Sequence, residues 1–294
     1  MKKKRSCVIF CISAILTISC GGGGGGSNVT GGVFQDDPVV GLTYTCGGQT
    51  GITGTGGTFS CPTGSTVTFS VGGITLCTMQ AQPVMTPLSC VQANDPTANT
   101  ATATVVAMAR FLQSINTTPG TGVLTITASE LQAAANLTLN FATATDGQLQ
   151  AAVSAIDPGA TLVSASAAQN ALTTMINAAY AGTYSGTWQL VSPQNANGNW
   201  SFTTDSNGVI VSSSFAEIAF PNVVVFSGTI SGSFVSGTTF NGTSSNGWTW
   251  TGSLDTSKTP AAFNACSALG QCNVISASAP GGLHVNGAFE GTKQ

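Results

Sequence analysis

Few side chains in this sequence could carry chemistry. The only imidazole is His284, within Gly281-Gly-Leu-His-Val-Asn-Gly287, and no Gly-x-Ser-x-Gly phrase occurs. A serine or thiol nucleophile would therefore have a single base, which only a carboxylate could orient. His284 falls in an expected C-terminal strand, where a sheet position outweighs a catalytic one. Ten acids are available for paired-carboxylate hydrolysis. Of these, Glu130 and Asp157 read as a helix cap and a helix stop, and Asp205 as a turn residue. Asp36-Asp37-Pro38 could offer oxygens to calcium, but that ion wants six to eight and no acidic repeat supplies them. Asp205-x-Asn207-Gly208 matches a fragment of a calcium loop without its closing Glu. No Cys-x-x-Cys or Cys/His spacing points to zinc. The expectation is a protein that is not an enzyme and has no metal and no cofactor.

Two sets of residues remain. Cysteines 46, 61, 77, 90, 266 and 272 form an even set in the body of the chain. In an exported protein such a set suggests disulfides, with fifteen possible connectivities for six thiols. Local pairing is expected, Cys46 with Cys61, Cys77 with Cys90 and Cys266 with Cys272, each stapling a loop between neighbouring strands. The aromatic residues concentrate after residue 182, with Trp188, Trp200, Trp248 and Trp250 among them. Rings of this kind either fill the interior of a small β-barrel or line a pocket for a sugar or another small apolar ligand. Core filling is the default, because aromatics supply much of a sheet protein's buried area.

Composition limits the partners. Charged residues make up 6% of the 294, and Lys2, Lys3, Lys4 and Arg5 are four of the seven bases. Beyond them Arg110, Lys258 and Lys293 stand against all ten acids, which leaves no basic stripe for phosphates and argues against nucleic acid.

The same N-terminal charges open an address. Met1 to Arg5 form a cationic region, and Cys7 to Ile18 form an apolar run too short to span a bilayer. Leu16-Thr17-Ile18-Ser19-Cys20 follows, then six glycines, Gly21 to Gly26. This resembles the lipobox of bacterial lipoproteins, with Thr17 standing where the family prefers Leu or Val. The resemblance implies a signal peptide over 1–19 and acyl chains, palmitate among them, on Cys20. It also implies a membrane anchor and, since Gly21 is not the Asp of inner-membrane retention, the outer membrane. Several chains on one cysteine anchor stably where one would not. The glycines then form a tether of ~13 Å reach within a segment assigned to 20–34.

The body divides by hydrophobic period. Residues 35–92 read as strands: Ser65-Thr-Val67-Thr-Phe69-Ser-Val71 alternates, Gly72-Gly73 turns, and Ile74-Thr-Leu76 returns. Val-Gly-Leu-Thr-Tyr44, Gly-Thr-Phe59-Ser-Cys-Pro and the hairpin together resemble small β-sandwich modules of bacterial surface lipoproteins and adhesin-like proteins. Residues 93–181 turn helical. Val105, Met108, Leu112 and Ile115 share a helix face over about 99–116. Thr127-Ala-Ser-Glu130 and Thr145-Asp-Gly-Gln148 are capping boxes, and Ala168, Leu172, Met175 and Ala179 form a stripe over about 165–180. These helices are poor in large apolar residues and are expected to pack on a sheet. Residues 182–294 repeat Gly-Thr and Gly-x-Trp phrases, which suggests an antiparallel meander closing as a small barrel or sandwich. Those phrases and the strand rhythm are similar to avidin and lipocalin barrels, a likeness that carries no ligand residue.

The fold class expected is α+β: an N-terminal β-sandwich-like module, a helical middle and a C-terminal antiparallel barrel or sandwich. The function expected is a non-enzymatic binding, adhesion or structural role at the cell surface or envelope, with polysaccharide or another envelope protein as partner. The alternative is a small-ligand carrier built on the aromatic C-terminal barrel.

Overall fold

The computed structural model describes residues 29–192, 197–219, 223–245, 247, 249–257, 262–263, 275–278 and 284–294. Cys20, Trp248, Cys266 and Cys272 lie outside the described residues. The fold is a mixed α+β arrangement with mostly antiparallel sheets at both ends.

The chain begins with β1 (Val29–Phe34), β2 (Val39–Val40), β3 (Thr43–Cys46), β4 (Gln49–Ile52), β5 (Thr58–Pro62), β6 (Thr66–Val71), β7 (Ile74–Gln80) and β8 (Val84–Met85). One sheet runs in the order β5-β1-β8 and another in the order β4-β3-β6-β7. The expected hairpin is β6 and β7. Val67, Phe69, Val71, Ile74 and Leu76 face inward on a period of two, and Gly72 takes the positive φ the turn requires. Gly72 also lies where a Cβ would stand 2.5 Å from the Ala134 backbone, so the turn docks against the helical region only as glycine. Phe34, Phe59 and Phe69 meet between the two sheets, with centroids 4.8 Å apart for Phe34–Phe69 and 5.1 Å for Phe59–Phe69. Each such fully buried ring contributes about 2 kcal/mol by burial.

One boundary needs correcting. The tether was expected to reach residue 34, yet β1 occupies Val29–Phe34, pairing antiparallel with β5 and parallel with β8. Its Gly31-Gly32 pair reads as a linker, but the ring of Phe59 lies opposite Gly32, where an added Cβ would stand 2.5 Å from it. Glycine here admits a cross-strand ring.

The middle of the chain holds α1 (Pro87–Gln92), α2 (Ala103–Ser114), β9 (Leu124–Thr125), α3 (Ala128–Ala133), α4 (Asp146–Ile156) and α5 (Ala165–Ala179). Both expected capping boxes form, at Thr127 with Glu130 and at Thr145 with Gln148; Thr86 and Ser89 make a third at α1. The helices do pack on a sheet: Met108, Phe111 and Leu112 of α2, Ile115 just after it, and Leu149 and Val153 of α4 join Phe34, Phe69 and Leu76 in one core. The β module and the helical segment therefore share an interior. The other side of α2 presents Val105 and Ala109 to Leu88, Ala168, Leu172 and Ile176. Ile176, not Met175, carries the buried stripe of α5, because the spacing of four from Ala168 and Leu172 tracks the contact line more closely. Among the described residues no helix is long and apolar enough to cross a membrane.

The last part comprises β10 (Gly182–Ser192), β11 (Asn197–Thr204), β12 (Ile210–Ala219), β13 (Val223–Gly228), β14 (Ile230–Val235), β15 (Thr239–Ser244), β16 (Thr249–Asp255), β17 (Ala262–Phe263), β18 (Ile275–Ser278) and β19 (His284–Lys293). Its sheet runs β13-β12-β11-β10-β19-β17-β16-β15-β14, with the C-terminal strand inserted between β10 and β17. The connectivity is otherwise up-and-down, as the turn rhythm implies, and Asp205-Ser-Asn207-Gly208 forms its turn between β11 and β12. No continuous ladder closes this sheet into a barrel among the described residues. One residue separates β13 from β14; Val209, just before β12, bridges Ser233 of β14, and Ser213 of β12 reaches Ile230. The Ser213 hydroxyl accepts from Ile230 N at 2.8 Å and donates to Ile230 O at 2.6 Å, so a side chain spans the seam where backbone pairing lapses.

Candidate functional site

A groove of about 490 Å³ lies where β7 meets α1, the start of α2 and the 137–144 segment. Leu76, Met108 and Phe141 give it an apolar floor, and the Cys77–Cys90 disulfide lies in its wall. Thr75, Thr78, Asn94, Asp95, Thr104 and Asn140 contribute polar groups. A second recess of about 320 Å³ lies against the same 137–144 segment and shares Leu139 and Asn140.

Local sequence explains how each wall is held. Leu137, Leu139 and Phe141 alternate with Thr138 and Asn140, so an extended segment turns its apolar side chains inward and its polar ones outward. The Asn140 Oδ1 accepts from Ala142 N at 3.0 Å, and Asp95 Oδ1 accepts from the Thr97 amide and hydroxyl at 3.1 and 2.6 Å. Both are Asx turns that fix the rim. Asp95 is the one charge among the lining residues, which include no imidazole, amine or guanidinium. Such a surface can bind a neutral, hydrogen-bonding ligand and has no base beside a nucleophile.

Gln92, at the end of α1, is fully buried and ties this region to the C-terminal sheet. Its Nε2 donates to Ala98 O at 2.9 Å and Leu254 O at 3.0 Å, while its Oε1 accepts from the Thr256 amide at 2.8 Å and from the Thr256 hydroxyl. Lys293 of β19 adds a second tie, donating to Ala179 O at the end of α5 at 3.2 Å with its Nζ 5.6 Å from the Tyr180 ring centroid.

The cysteine expectation is met for two pairs, Cys46–Cys61 and Cys77–Cys90, with Cα separations of 5.6 and 5.5 Å. Neither staples adjacent strands of one sheet: the first joins β3 to β5 across the two sheets, and the second joins β7 to α1. Trp188 and Trp200 are 3% and 2% exposed. Trp188 stacks on Phe215 at 5.1 Å and donates its indole N–H to Ala216 O at 3.0 Å; Trp200 stacks on Phe202 at 5.1 Å and donates to Thr187 O at 3.2 Å. Together with Tyr184, Phe234, Phe240 and Leu254 they form a packed core, so these two rings fill the interior and do not line an open pocket. Trp250 belongs to β16 and His284 to β19, where it pairs with Ser278.

The acids are dispersed. Asp36 is buried between the strands and α2, where Gln113 Nε2 donates to both its oxygens at 3.0 and 3.2 Å; burial pushes its pKa up to about 8. Asp146 is exposed, and its hydrogen bonds to Arg110 hold it below the usual carboxylate range. Asp205 is lowered by the turn amides of Val209 and Asn207. Asp255 accepts from Ser257, and Asp157 accepts from the Gly159 amide. Among the described residues no three His, Cys, Asp or Glu side chains converge as metal ligands. The groove itself was not foreseen; the alternation over Leu137–Phe141 was its one local signal.

No protein-family model matches the chain, and neither a curated protein nor a solved structure does.

Proposed function

We propose that this chain is an exported envelope protein, anchored through acyl chains on Cys20 at the outer membrane, with a non-enzymatic binding or structural role. The observation that carries the reading is the pairing of Cys46 with Cys61 and of Cys77 with Cys90. Paired thiols of this kind persist in oxidising compartments and are rare in a reducing cytosol. Two further features support it. The six glycines Gly21 to Gly26 stand between Cys20 and β1, enough to hold a folded body off a lipid surface. The groove beside β7 has hydroxyl and amide groups on its rim and a single carboxylate, which suits a neutral polymer such as an envelope polysaccharide, or a polar protein surface, without long-range repulsion.

The test is expression of the full chain in a Gram-negative host, followed by membrane fractionation and mass measurement of the N-terminal peptide. An acylated Cys20 in the outer-membrane fraction is the expected result. A chain that stays in the cytosol with Cys20 unmodified and free thiols at Cys46 and Cys61 overturns the reading. Surface proteolysis of intact cells then decides which side of the membrane the body faces.

A further inference from the structure

The two disulfides sit in different surroundings. Cys46 and Cys61 are 2% and 0% exposed, sealed between the sheets β5-β1-β8 and β4-β3-β6-β7. Cys90 is 4% exposed, but Cys77 is partly open to solvent, and both border the groove of about 490 Å³. Thiol–disulfide exchange depends on a thiolate reaching one sulfur in line with the bond, so access decides which bridge reacts. We propose that Cys77–Cys90 is a thiol-exchange site whose substrate class is a dithiol reductant entering through this groove.

One thiolate of the dithiol attacks Cys77 Sγ, forming a mixed disulfide and releasing Cys90 as a thiolate, which takes up a proton. The second thiol of the reductant, as its thiolate, attacks its own sulfur in the mixed disulfide and releases Cys77, which is protonated in turn. The protein gains two electrons and two protons, and the reductant becomes a cyclic disulfide. The structural consequence falls on α1. Among the described residues Cys90 is the only covalent tie from this helix to β7, while Gln92, two residues on, still holds Leu254 and Thr256. Reduction therefore releases the β7 side of α1 and leaves its C-terminal side attached, which loosens the groove wall without separating the helix from the sheet beyond. This inference stands on burial and position and is independent of acylation at Cys20.

The experiment treats the oxidised, full-length protein with dithiothreitol under native conditions, quenches with an alkylating agent over time and reads each cysteine peptide by mass. Cys77 and Cys90 are expected to be labelled at least ~10-fold faster than Cys46 and Cys61. Equal rates, earlier labelling of Cys46 and Cys61, or no labelling of Cys77 and Cys90 before denaturation would each overturn the proposal. Thr75→Trp, placed on the exposed rim of the groove, tests the route: it should slow labelling of Cys77 and Cys90 several-fold and leave Cys46 and Cys61 unchanged. An unaltered Cys77 rate in that variant rules out entry through the groove.

Discussion

Gly198 of β11 stands directly opposite Trp188 of β10, and the space its missing side chain leaves is where the indole passes to reach the Ala216 carbonyl. A Cβ added at Gly198 would lie 1.8 Å from Ala216 O and 2.5 Å from the Trp188 Nε1. The same device recurs: the Tyr44 ring covers Gly51, the Phe59 ring covers Gly32, and the Trp200 ring covers Gly291. The first three are direct cross-strand pairs, while Trp200 reaches past Gly186 of β10 to Gly291 of β19, and in each case the missing side chain gives the ring room against the sheet.

Gly198→Ala should therefore act as a wedge near the start of β11, between β10 and β12. Overpacking a well-filled interior typically costs ~1–3 kcal/mol, and here the obstructing atom is backbone, which places the expected loss at or above the upper end. Urea unfolding followed by tryptophan fluorescence reads it, since all four tryptophans lie after residue 187. A variant as stable as the parent would show that the ladder yields easily at this point.

Gln92→Leu removes both halves of a buried link between α1 and the C-terminal sheet. Two carbonyls, Ala98 and Leu254, and the Thr256 amide and hydroxyl lose their partner. Leaving a buried polar group unsatisfied costs ~1–3 kcal/mol each, partly relieved by rearrangement, so a loss of ~3 kcal/mol or more is expected. Because the link is one of the ties between the helical core and the C-terminal sheet, beside that of Lys293, calorimetry should show the two transitions drawing apart relative to the parent.

Breaking the inter-sheet bridge with the double change Cys46→Ala and Cys61→Ala should lower stability by ~3 kcal/mol, the entropy expected for a loop of this size. The 15-residue separation sets that figure. The corresponding change at Cys77 and Cys90 should cost a similar amount but leave the aromatic core between the two sheets intact, as amide exchange across β1, β5 and β6 would report.

Particular residues show what could be read in advance. The β6–β7 hairpin was legible because Val67, Phe69, Val71, Ile74 and Leu76 alternate around two glycines, and the capping boxes at Thr127 and Thr145 because each is complete within four residues. Local cysteine spacing pointed to three pairings, of which Cys46–Cys61 and Cys77–Cys90 fall within the described residues and form. Strand β1 was hidden because Gly31 and Gly32 look like tether until Phe59 is placed over Gly32, and that placement is tertiary. The insertion of β19 between β10 and β17 was hidden for the same reason, since no local pattern states which distant strands pair. The groove depends on β7, α1, α2 and the 137–144 segment meeting, so its residues carry little signal apart from one another.

Asp36 gives the protein a stability that depends on pH in the direction opposite to a salt-bridged carboxylate. It is 2% exposed, Gln113 is its hydrogen-bonding side chain and Asp37 is its charged neighbour, so burial raises its pKa from 3.8 to about 8. The folded chain therefore holds a proton that the unfolded chain has released between those two values. Stability falls with pH wherever the native state binds more protons, so the protein should weaken steadily as pH rises from about 4 to about 8. Asp146 and Asp205, both lowered, act in the opposite sense and only below the ordinary carboxylate range, and Lys293, also lowered, adds stability only on the alkaline side. Among the described residues whose pKa is displaced, Asp36 alone titrates in the window between. Urea midpoints at about pH 5 should exceed those at about pH 8 by the equivalent of a few kcal/mol, since one proton bound by the folded chain alone is worth ~1.4 kcal/mol for each step of one in pH. Asp36→Asn, which keeps the acceptor for Gln113 and removes the titration, should flatten the dependence; a slope that survives the substitution would place the titrating group elsewhere.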